Sequence, residues 1–98
     1  MSTLHLGTEG YLKDGVNGKV GIGTASPQEV LEVQAGNVKI SAGYSYLIGN
    51  VRICTGSGSP NGLISAPPGS IYLNTSGGSG TTLYVKESGS GSTGWVGK

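Results

Sequence analysis

The chain has 98 residues, a formal net charge of +1, 20 glycines, no phenylalanine and one cysteine, with 35% of positions hydrophobic and 11% charged. This length allows one domain or two small modules in series, and the near-neutral balance, without a basic patch or stripe, counts against a nucleic-acid partner. No apolar run approaches the ~18 residues of a membrane span, no signal-peptide pattern opens the chain, and Cys54 alone cannot close an intrachain disulfide.

Glycine loses the most backbone entropy on folding and adds nothing to a core. A lone copy of this chain is therefore expected to bury too little apolar area to offset its own ordering. Disorder is one way out, but the low charge and the regular spacing of Val, Ile, Leu and Tyr argue against it. Self-association is the expectation.

Residues 1–12 are polar and weakly alternating at Leu4 and Leu6, which suits an extended opening strand and the middle of a longer protein. Residues 13–18, KDGVNG, form a turn, since Asp-Gly and Asn-Gly supply the positive φ angles that tight turns require. In residues 18–33, GKVGIGTASPQEVLEV, Val20 and Ile22 alternate with Gly21 and Gly23, so one face is bare and admits another backbone. Ser26, Pro27 and Glu29 then read as a capping box with proline at the first helical position, predicting a helical turn near 26–31 before a strand at Glu32-Val33.

The stretch Val20-Gly21-Ile22-Gly23-Thr24-Ala25-Ser26-Pro27, followed by Leu31-Glu32-Val33, resembles a segment of bacteriophage tail fibres and related trimeric fibre proteins. That resemblance implies a homotrimer.

Residues 37–43 and 50–56 repeat the pattern N-V-basic-I-x-x-G, with aliphatics on one face and Lys39 or Arg52 on the other, as half-buried strands require. Residues 43–49 lie between them and read as a third strand carrying Tyr44 and Tyr46 on one face. Residues 57–68 are rich in turn formers and are expected as a linker between a fibrous β region over 1–56 and a C-terminal module over 69–98.

That last module is the most regular part of the chain. Ile71-Tyr72-Leu73-Asn74 and Leu83-Tyr84-Val85-Lys86 share one order of aliphatic, tyrosine, aliphatic and polar residues, and Trp95-Val96 follows a second Gly/Ser turn. An antiparallel β-meander is predicted. One face carries Ile71, Leu73, Leu83, Val85 and Val96, and the other carries Tyr72, Tyr84 and Trp95. Both faces are too apolar to leave in water, so more than one copy is expected to pack together, and the resemblance to trimeric fibre proteins implies three, arranged as a prism around a common axis. Residues 59–98 are similar to a closing segment of phage tailspikes that bear pectate-lyase-like β-helices, through Ala66 to Tyr72, Thr81 to Gly89 and Gly94 to Val96. The catalytic β-helix of such proteins has no counterpart here.

The fold class expected is thus all-β, an intertwined homotrimeric fibre segment with a short helical corner. Chemistry is sparse. His5 is the only histidine, and Glu9, Asp14, Glu29, Glu32 and Glu87 show no pairing of the kind a glycosidase needs, with two carboxylates ~5–10 Å apart in a cleft. Gly21-x-Gly23 lacks the third glycine of a dinucleotide loop. No enzyme activity, cofactor or metal is expected, three copies of His5 on a three-fold axis being the one metal arrangement weighed. Cys54 reads as a buried thiol at a strand end, with Arg52 the only local cation. The candidate binding residues are Tyr72, Tyr84 and Trp95, either packed between subunits or stacked against a glycan.

The function expected is structural: a trimerisation and stabilisation module of a phage tail fibre or tailspike, located in the virion. Its partners would be two further copies, an upstream fibre or baseplate protein and a host-surface polysaccharide, without nucleic acid or membrane insertion. The rival expectation is a carbohydrate-binding tip that recognises the receptor.

Overall fold

A computed structural model describes residues 18–98. The opening strand, His5, Glu9, Asp14 and most of the turn at 13–18 lie outside the described residues. Every described element is a strand: β1 (Val20–Ile22), β2 (Leu31–Val33), β3 (Tyr46–Ile48), β4 (Val51–Gly56), β5 (Ile71–Asn74), β6 (Leu83–Lys86) and β7 (Trp95–Gly97). Contacts divide the chain between Lys39 and Ile40 into two units.

In the first unit β1 and β2 pair in parallel, Val20 opposite Leu31 and Ile22 opposite Val33. The helical turn expected near 26–31 is absent, and the N–H groups its capping box would have served are bonded elsewhere. The Ser26 N–H donates to Thr24 Oγ1 at 3.1 Å, and the Gln28 N–H donates to the Glu32 carboxylate at 2.7 Å. A series of bends carries the chain from β1 to β2, with the Thr24 carbonyl lying against the bare face of Gly21. The sequence signs of a cap are local; the parallel pairing closes across the same few residues and overrides them.

The second unit is one five-stranded sheet in the order β3-β4-β5-β6-β7. Gly49 and Asn50 join β3 to β4 in a two-residue hairpin. The C-terminal meander forms as the alternation requires, with Ile71 opposite Val85, Tyr72 opposite Tyr84 and Val85 opposite Val96. The first copy of the N-V-basic-I repeat is not a strand: residues 37–40 have no ladder partner, whereas the second copy gains β3 on one side and β5 on the other. The join between β4 and β5 is parallel, Cys54 opposite Tyr72, and is made by a crossover over residues 57–70.

The stretch expected as a linker occupies most of that crossover and is packed. Pro60 is fully buried, Ala66 is buried, and Ile64 packs against the core. It lies over the face of the sheet that carries Cys54, Tyr72, Tyr84 and Trp95, and with them forms the hydrophobic core.

Candidate functional site

Alternation along β4 to β7 sends Cys54, Tyr72, Tyr84 and Trp95 to one face and Ile53, Ile71, Leu73, Leu83, Val85 and Val96 to the other. The aromatic residues, expected to meet a neighbouring subunit or a glycan, instead close the core of their own chain, and all three are buried. The Tyr72 and Tyr84 rings meet edge to face at 6.1 Å and 75°, and Tyr72 and Trp95 are tilted at 6.0 Å and 58°. The polar tips of Tyr72 and Trp95 are satisfied by the crossover. Tyr72 Oη donates to the Gly58 carbonyl at 2.9 Å, and Trp95 Nε1 donates to the Ile64 carbonyl at 2.9 Å. Gly56 makes room for this, since a Cβ there would meet the Tyr72 hydroxyl.

Two buried polar strand residues, Asn74 and Lys86, share that face. Asn74 Oδ1 accepts from the Gly58 N–H at 2.8 Å and the Ser76 N–H at 3.0 Å, while its Nδ2 donates to the Thr81 carbonyl at 2.7 Å. Lys86 is 0% exposed, and its ammonium donates to the carbonyls of Ala66 at 2.8 Å, Ser88 at 2.9 Å and Gly89 at 2.6 Å. The repeat of tyrosine, aliphatic and polar residues holds the signal for both: a residue two places after a core tyrosine faces the same core.

Cys54 is buried and free, and its thiol lies 3.6 Å from the Ile71 carbonyl. Burial pushes the thiol above its ordinary range, against the opposing effects of the Arg52 charge and a Ser45 hydrogen bond. Such a thiol stays protonated and unreactive. Among the described residues no group of three or more His, Cys, Asp or Glu stands together to hold a metal, and no helix is long and apolar enough to cross a membrane. Glu87 makes an exposed ion pair with Lys98 at 2.6 Å.

The opposite face remains accessible. Tyr46, Ile53, Ile71, Val85 and Val96 stand in register across all five strands, forming one apolar row the full width of the sheet. Leu73 and Leu83 extend it on the central pair. Exposure along it reaches 54% at Tyr46, 41% at Leu73 and 39% at Val96. Tyr44, expected to share a strand face with Tyr46, lies before β3 and is exposed. An apolar row of this width can exclude water against a matching surface. Comparisons with protein-family models, curated proteins and solved structures find no match to the chain.

Proposed function

We propose that the chain is a non-enzymatic structural module of a bacteriophage tail fibre or tailspike, which associates as a homotrimer to register and stabilise the fibre. The observation that carries this reading is the five-residue apolar row. An exposed face of that extent on a small domain asks for a cover, and a second copy presents the same row. Three sheets around an axis would bury their rows together as a prism. The number three rests on the resemblance of the VGIGT-x-SP and APPGS–GWV segments to fibre proteins; the face itself asks only for more than one copy. The carbohydrate-binding alternative loses the three rings on which it rested, because they lie in the core.

Native mass spectrometry and light scattering at micromolar concentration test the proposal. The unaltered chain is expected as a trimer. Val85→Lys, within the row between Ile71 and Val96, is expected as a folded monomer with unchanged Trp95 fluorescence, since the substitution faces away from the core. A folded, concentration-independent 9.8 kDa monomer of the unaltered chain would overturn the reading.

A further inference from the structure

Asn61 and Gly62 form the one Asn-Gly pair lying wholly within the described residues. Such a pair is chemically reactive, because nothing on glycine hinders its backbone nitrogen from attacking the asparagine side-chain carbon. A C–N bond forms, the amide leaves as ammonia, and a five-membered succinimide results. Water then opens that ring to aspartate or to isoaspartate, in which the backbone passes through the former side chain. An exposed loop normally gives this reaction the freedom it needs.

Here the loop withholds it. Asn61 is exposed, yet both reacting groups are held. The Gly62 N–H donates to the Ser92 carbonyl at 2.8 Å. The Asn61 amide pairs twice with the backbone of Trp95: Nδ2 donates to its carbonyl at 3.0 Å, and Oδ1 accepts its N–H at 3.1 Å. The amide thus sits beside β7 as a further strand would, using the polar groups that Trp95 turns away from β6. The Leu63 and Ile64 N–H groups both donate to the carbonyl of buried Pro60, at 3.0 and 3.1 Å, which fixes the turn on either side.

We propose that Asn61 is a deamidation site that is closed in the folded chain, opens only when residues 57–68 lift from the aromatic core, and yields a product that cannot be re-covered. The last point follows from hydrogen-bond chemistry. Deamidation replaces the Nδ2 donor with an oxygen, so an acceptor faces the Trp95 carbonyl, and isoaspartate also adds a methylene to the loop backbone. Either product breaks the double pairing that holds the cover to β7. The modification is therefore a one-way mark of having opened.

The test follows Asn61 in the intact protein by site-resolved mass spectrometry at mildly alkaline pH, folded and in denaturing urea. Deamidation is expected to be at least about tenfold slower in the folded chain, because it must wait for local opening. At intermediate urea its rate should rise with the opened fraction read from Trp95 fluorescence. Equal rates in the folded and unfolded chain would overturn the closed state. Deamidated chain returned from urea is expected to keep the red-shifted emission of an exposed Trp95; recovery of the native emission would overturn the claim about the product. Asn61→Asp should behave like the deamidated chain. The rate comparison uses the unaltered protein, so it stands whether or not that variant folds.

Discussion

Lys86 concentrates the cost of this fold in one side chain. A buried ammonium without a carboxylate partner survives only if each of its protons finds an acceptor, and its three carbonyls come from both sides of the strand: Ala66 from the crossover, Ser88 and Gly89 from the β6–β7 loop. Lys86→Met would leave all three carbonyls without this donor and is expected to lose about 3 kcal/mol in reversible urea denaturation. Lys98→Met, which breaks only the exposed pair with Glu87, should change stability by less than ~1 kcal/mol. Alkaline pH probes the neighbouring groups. Burial raises the Cys54 thiol from 9.0, and burial first, then the proximity of Cys54 and Tyr84, raises the Tyr72 phenol from 10.0. Both are held neutral in the folded chain, so the unfolded chain releases these protons first. Stability should be intact below about pH 9 and should fall as pH rises through the unfolded values towards the folded ones. In a pH series of melting temperatures, Cys54→Ala is expected to start lower and to decline less steeply above pH 9.

Among the elements, the turn between β5 and β6 separates two adjacent glycines. A Cβ on Gly77 would run into the Thr81 carbonyl across the turn, whereas one on Gly78 meets open space at an ordinary φ. Gly77→Ala is expected to cost about 2 kcal/mol or more and Gly78→Ala less than ~0.5 kcal/mol, read as shifts of the urea midpoint at constant slope. The strands flanking this turn are legible in the sequence because alternation and turn chemistry agree there. They disagree elsewhere. Residues 37–40 carry the same pattern as β4 but remain irregular, since a strand needs a partner and a sequence pattern does not supply one. At Ser26 a convincing cap signal yields to the Thr24 hydroxyl and the Glu32 side chain, which take the N–H groups a helix would have left free.

At the scale of the molecule, the sequence identifies two apolar faces but not which of them the chain covers itself. Residues 57–68 look like a linker because Gly, Ser, Pro and Asn dominate them. Those residues leave main-chain carbonyls accessible, and carbonyls are what Tyr72, Trp95 and Lys86 require as partners. The cover was hidden because its contribution comes largely from backbone, which composition does not display. With the aromatic face closed from within, a single aliphatic face is left for further copies, and the association argued from it depends on one surface rather than two.

The parallel join between β4 and β5 also sets an order of events. The β3–β4 hairpin and the β5–β6–β7 meander are each stitched by contacts close in sequence, so the pairing within either can form quickly. Their seam has to wait until the whole crossover has closed its loop, and non-local parallel pairing is intrinsically slow. The chain is therefore expected to reach its native state through two preformed halves. The rate-limiting barrier would lie at the moment when Cys54 comes to rest opposite Tyr72.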